Sequence, residues 1–136
     1  MSEPVSVRWK HEGLKFEGVT PHGRVDLASG LDPVGSGVAP MELLAVALGG
    51  CTAMDVLSIL QKMRQPVEEF SVEVSGTRAA EHPKVFTALE VVYRLKGDLD
   101  EAKVARAIEL SETRYCSVEG TLRPAVEITS RFEIQR

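Results

Sequence analysis

The sequence predicts an α+β fold in which antiparallel sheets surround two main helices, the longer of them buried at the centre and carrying a cysteine. Three observations point there. Short runs alternate apolar with polar residues, these runs come in pairs joined by turn residues, and two longer stretches instead repeat their apolar residues every three or four positions. Strands that arrive as hairpins, not as strand–helix–strand units, argue for antiparallel pairing and against a doubly wound parallel sheet. A chain of 136 residues without internal repeat or low-complexity tract is expected to form a single domain, 1–136, with its own core.

The elements follow in order. "VSVRW" at 5–9 and "LKFEGV" at 14–19 flank "HEG" and read as an N-terminal hairpin, with Trp9 packed at the sheet edge. "RVDLA" at 24–28 adds a third short strand after the turn "TPHG". The glycine-, serine- and proline-rich stretch "SGLDPVGSGVAP" is a long loop of the kind that lies over functional sites. Pro40 suits the first turn of a helix that runs from Met41 to about Arg64. Leu43, Leu44, Ala47, Leu48, Cys51, Met54, Leu57, Leu60 and Met63 cover most of its sides, which predicts burial in a domain centre or a subunit interface. "EFSVEVSGTR" and "KVFTALEVVYRLKG" form an antiparallel pair across "AAEHP". "GDLDEAKVARAIELSETRY" is a second helix, capped by Asp98 or Asp100, with Val104, Ala107, Ile108 and Leu110 inward. "SVEGTLRP" is a turn or short helix, and "AVEITSRFEI" closes the chain as a strand with Val126, Ile128 and Phe132 inward.

Composition excludes several function classes. Sixteen basic against 20 acidic residues give a net charge of −4, which argues against a nucleic-acid surface as the main business. "MSEPVSVRWK" carries no apolar run of signal-peptide length, and Gly49, Gly50, Thr52, Asp55 and Ser58 interrupt the apolar stretch around 43–60, so neither export nor a membrane span is expected. A cytoplasmic protein without cofactor follows as the expectation. "GLDPVGSG" lacks the lysine and strand–helix context of a phosphate loop, and His11, His22 and His82 sit in turns as surface residues.

Two cysteines are too few for a disulfide scaffold or a Cys-only zinc site, and no CxxC or HxxxH spacing completes a metal centre. Their surroundings are small and polar: "GGCTA" around Cys51, "RYCSVEG" around Cys116 with Arg114 two positions before it. Gly49-Gly50 admits two readings. In the one we prefer, because the periodicity continues in phase past residue 51, the helix runs through and the glycines allow another backbone or helix to approach. In the other, the helix restarts at Cys51 and its dipole favours a thiolate. Asp55 falls one turn after Cys51 and reads most simply as a hydrogen-bonded interface residue.

"APMELLAVALGGCTAMDV", together with "ETRYCSVEG", resembles the OsmC/Ohr family of osmotically and peroxide-induced proteins, and in detail its YhfA-like branch. The resemblance spans nearly the whole chain. It implies an intertwined homodimer with two sites at the subunit interface and the cysteine helix at the centre. It implies a peroxiredoxin-like peroxidase of oxidative-stress defence, acting on organic hydroperoxides or hydrogen peroxide. Carried over, Cys51 is the peroxidatic thiol and Cys116 the resolving thiol, with an external dithiol as reductant. Such chemistry needs a thiolate that becomes a sulfenic acid and a second thiol that condenses with it before overoxidation.

The well-studied members activate the thiol with an arginine held by a glutamate. In the peroxidase branches that glutamate directly follows the helix-opening proline, where this chain has Met41. Glu42 lies one place on, about 100° round the helix, and reads equally as a first-turn acid that suits the helix dipole. Arg24, just before the glycine-rich loop, is the candidate activating arginine, its plain alternative being an exposed strand residue. The departure at Met41 keeps a second function open: a non-enzymatic redox sensor, or a binder of a small ligand.

Overall fold

Alternating polarity puts the strands where the sequence predicts, within two residues at each end. The computed structural model describes residues 3–136 and gives β1 (Ser6–Trp9), β2 (Phe16–Thr20), β3 (Gly23–Leu27), α1 (Pro40–Lys62), β4 (Glu69–Arg78), β5 (Phe86–Lys96), α2 (Glu101–Leu110), α3 (Ser117–Leu122) and β6 (Glu127–Gln135). A π-helical turn, Ser111–Tyr115, joins α2 to α3. Contacts group the chain into two compact units, Met1–Leu44 and Ala45–Arg136.

In the first unit β1, β2 and β3 form an antiparallel meander, with Trp9 opposite Phe16 and Phe16 opposite Leu27. Trp9 sits on an edge strand as expected but stays half exposed, its indole N–H donating to the Gly13 carbonyl. Val38 returns beside Leu27 in a parallel bridge, and Gly37, at φ 151°, lets the chain pass 3.0 Å from the Leu27 carbonyl carbon. The side chain of Glu42 accepts the Ala39 N–H at 2.9 Å, so this acid satisfies a free donor at the start of α1.

The second unit is a three-stranded sheet in the order β4-β5-β6, with helices against it. β4 alternates inward Phe70, Val72 and Val74 with outward Glu69, Ser71, Glu73 and Ser75. β5 is central, and Leu89, Val91, Val92, Tyr93 and Leu95 are all buried. β4 pairs with it antiparallel, from Glu69 opposite Lys96 to a bulge at Thr77/Arg78. β6 differs from the sequence expectation, since it runs parallel to β5. The helical segment between β5 and β6 supplies the crossover that parallel neighbours require. Asp100 caps α2, its carboxylate accepting the Ala102 and Lys103 N–H groups.

The long helix is buried along one face only. Leu48, Gly49, Thr52, Val56 and Leu60 are buried, whereas Val46 and Met54 are exposed. Each buried aliphatic on that row contributes about 1.5–3 kcal/mol of transfer free energy. By length and hydropathy α1 would pass as a membrane span, as core helices also do, and among the described residues it is the one helix that does so.

Candidate active site

Two local features, the run of α1 and the π-helical turn, place the cysteines of the second unit. Cys51 is the twelfth residue of α1, which runs through Gly49 and Gly50 unbroken. This removes the restarted-helix reading, because a residue in mid-helix faces no free N–H groups. A Cβ at Gly49 would meet the Val74 Cγ2 at 3.1 Å, so here the glycine lets a strand side chain approach, not a backbone; a Cβ at Gly50 would meet nothing within 4 Å. Helical phase puts Gly50 on the exposed strip with Val46, Ala47 and Met54, and Cys51 on the border between that strip and the buried row.

Cys116 is fixed by the π-helical turn. Its N–H closes on the Ser111 carbonyl at 2.7 Å, and it then serves as the N-cap of α3, its Sγ accepting the Glu119 N–H at 3.4 Å. π-helical turns recur at functional sites because the extra residue re-aims side chains. Here the consequence is direct: the sulfur atoms of Cys51 and Cys116 and a carboxylate oxygen of Asp55 all lie within 4.8 Å of one another. Both cysteines are free; Cys51 is half-buried and Cys116 buried. Burial pushes the Cys116 thiol up to about 11, with the Glu119 N–H opposing and the Cys51 thiol and the Glu119 carboxylate adding to the rise. The cluster offers three donors where a structural zinc site closes with four. We therefore read it as a dithiol beside an acid.

A buried polar row leads away from this cluster. Ser111 Oγ is hydrogen-bonded to Asp55 Oδ2 at 3.1 Å. Ser111 Oγ also lies 2.9 Å from Thr52 Oγ1, which in turn lies 2.7 Å from the Tyr93 hydroxyl. Tyr93 reaches Glu112 Oε2 at 2.9 Å, and Ser130 Oγ donates to the other oxygen of that carboxyl at 3.0 Å. Burial pushes the Tyr93 hydroxyl well above the usual phenol range, and Glu112 adds to the rise while Thr52 opposes it. Glu119 is buried and raised by that burial and by Glu112, with Arg123, at 2.7 Å, opposing. Arg123 also donates to the Glu112 carbonyl. An open hollow of about 380 Å³ passes Asp55, between Ser58, Ile59 and Lys62 of α1 and Leu110 and Tyr115.

The predicted thiol pair and Asp55 are thus brought together, with Asp55 bonded to Ser111. Arg24 and Glu42 belong to the first unit. Arg24 is an exposed residue of β3, paired with Glu17 on β2 at 3.2 Å, and Glu42 serves α1 as described. Sequence reasoning missed Thr52, Tyr93, Ser111, Glu112 and Ser130. The available signal was a threonine inside the buried row Leu48, Val56, Leu60, and a tyrosine among the valines of β5.

The family profile described as OsmC-like protein matches residues 33–131. Protein YhfA of Escherichia coli K12 is 42% identical over 129 residues, covering 94% of this chain and 95% of its own. A hypothetical protein from Aquifex aeolicus superimposes with a TM-score of 0.85 at 29% identity, over 100% of this chain and 99% of that one. The organic hydroperoxide resistance protein OhrB of Bacillus subtilis shares the fold, with a TM-score of 0.67 at 16% identity over 98% of both chains.

Proposed function

Because the chain belongs to the OsmC-like family, we propose that it is a thiol-dependent peroxidase that reduces organic hydroperoxides or hydrogen peroxide in oxidative and osmotic stress. The observation that carries this reading is the pair of sulfurs within 4.8 Å at the rim of α1. In the thiolate form, Cys51 attacks the terminal peroxide oxygen, so an S–O bond forms, the O–O bond breaks and the alcohol leaves with a proton. The Cys116 thiol then attacks the sulfenic sulfur, giving the Cys51–Cys116 disulfide and water. An external dithiol returns both cysteines to thiols. The assignment of attacking and resolving sulfur agrees with their exposure, since Cys51 is the more accessible and Cys116 is kept protonated until the second step.

Arg24 is assigned to thiol activation on the family pattern alone, and Glu42, one place past the family's glutamate position, is its candidate acidic partner. The whole chain works as one domain, in the cytoplasm, as a homodimer. The exposed apolar strip of α1, with Gly50 leaving room for a close neighbour, supports a second copy there. The test is hydroperoxide consumption over many turnovers with dihydrolipoamide or thioredoxin as donor, abolished in Cys51→Ser. The methionine at position 41 favours a second reading, a redox sensor or ligand binder. That reading predicts a single round of oxidation without turnover.

A further inference from the structure

Five oxygen atoms form the row Asp55 Oδ2, Ser111 Oγ, Thr52 Oγ1, Tyr93 OH and Glu112 Oε2, joined by four links of 3.1, 2.9, 2.7 and 2.9 Å. Each link needs one proton. The hydroxyls of Ser111, Thr52 and Tyr93 bring three, and two ionised carboxylates bring none. Thr52 is 1% exposed and Ser111 and Tyr93 are 0% exposed, so bulk water does not relieve the deficit. With both carboxyls charged, two oxygens would face each other lone pair to lone pair inside the core, which buried polar groups avoid.

We infer that Asp55 and Glu112 share a single proton through Ser111, Thr52 and Tyr93, and that this row is a proton relay between the thiol pair and the surface at Ser130. The two ends differ. Ser130 donates to Glu112 Oε1 and favours charge there. Among the described residues no ion pair reaches Asp55. The Asp55 end of the row is the one beside both sulfurs. The charged groups around the row are Glu119 and Arg123 at the Glu112 end, with Glu101, Glu109 and Arg131 lining the hollow that Glu112 and Ser130 share, and Lys62, which lines the hollow at the Asp55 end.

Its chemical use rests on the peroxidase reading; the shared proton does not. When the Cys51 thiolate takes the terminal oxygen of a hydroperoxide, the leaving alkoxide needs one proton, and the Asp55 carboxyl gives it. The three hydroxyls then turn, and Glu112 takes a proton from solvent beside Ser130. One shift along the row returns a proton to Asp55. In this scheme Asp55 is the catalytic acid and the other four are positioning and relay residues.

Infrared spectra of the reduced, full-length chain at neutral pH test the count, because a protonated carboxyl stretches well above the carboxylate bands. The relay predicts one such group that disappears in Asp55→Asn and in Glu112→Gln, where an amide supplies the missing donor. It also disappears in Thr52→Val and in Tyr93→Phe, although both carboxyls remain, because the row is then cut into pieces with as many hydroxyl protons as links. Glu119→Gln leaves it in place. No protonated carboxyl in the wild type, its survival in folded Thr52→Val or Tyr93→Phe, or its loss in Glu119→Gln alone overturns the inference. Asp55→Asn, at a half-buried position, keeps the test alive if a core variant fails to fold. In single-turnover oxidation of Cys51, Asp55→Asn should be about 10²–10⁴-fold slower. A wild type inert to every hydroperoxide would refute the peroxidase reading and leave the infrared result standing.

Discussion

Raising the pH probes the Cys116 thiol without altering a residue. Burial holds Cys116 at about 11, against about 8.5 for an unperturbed thiol. At pH 7 the folded chain then carries roughly one Cys116 thiolate in 10⁴, where an ordinary thiol carries about 3%, so ionisation alone slows its alkylation by about 300-fold. The same shift fixes a stability change and its sign. The folded value lies above the unfolded one, so the fold favours the neutral thiol. That contribution is complete below about pH 8.5 and is lost as the pH rises through about 11. The difference between those two values corresponds to about 3 kcal/mol. The assay is urea unfolding of the reduced protein at intervals from pH 7.5 to 11.5, for the wild type and for Cys116→Ala. Subtracting the two curves removes other titrating groups and the pH-independent loss of the sulfur contact with the Glu119 N–H. The difference should be flat to about pH 8.5 and then fall with the slope of one proton. A flat difference throughout, or Cys116 alkylation with a midpoint near 8.5, would refute the burial argument and with it the reason for Cys116 to wait as a thiol.

Other consequences are as direct. Gly76→Ala should destabilise by about 1–3 kcal/mol in thermal or urea unfolding, because its Cβ would lie 2.7 Å from Phe86 Cδ1 and 3.0 Å from Leu89 Cδ2, while Cys51 reactivity is kept. Asp100→Ala should cost about 1 kcal/mol in the same unfolding assay, since two N–H groups of α2 lose their acceptor. Val46→Asp and Met54→Lys, on the exposed strip of α1, should shift the proposed dimer to monomer in sedimentation equilibrium, with the far-ultraviolet circular dichroism unchanged.

Much of the fold was legible because short-range chemistry determines it. The alternation of "EFSVEVSGTR" marks β4 end to end, Pro40 opens α1, and Asp100 caps α2. The parallel sense of β6 was not legible, because an alternating strand reads the same in either direction and only the helical crossover decides it. Nor was the π-helical turn at Ser111, since its extra residue is set by the tertiary bonds of Ser111 to Thr52 and Asp55. The thiol pair was visible as chemistry in the small, polar surroundings of two cysteines, but their meeting depends on that turn. The polar row is dispersed over positions 52, 93, 111 and 112, with no motif to connect them. Each member reads singly as a tolerated polar residue.

The central claim is that Cys51 and Cys116 form one catalytic disulfide. Intact-mass analysis and peptide mapping after a single equivalent of organic hydroperoxide test it most directly. A loss of two mass units per chain, with Cys51 and Cys116 joined within one chain and released by dithiol, is the predicted result. A chain that stays fully reduced, or a Cys51 that proceeds to sulfinic acid while Cys116 remains a free thiol, would contradict it.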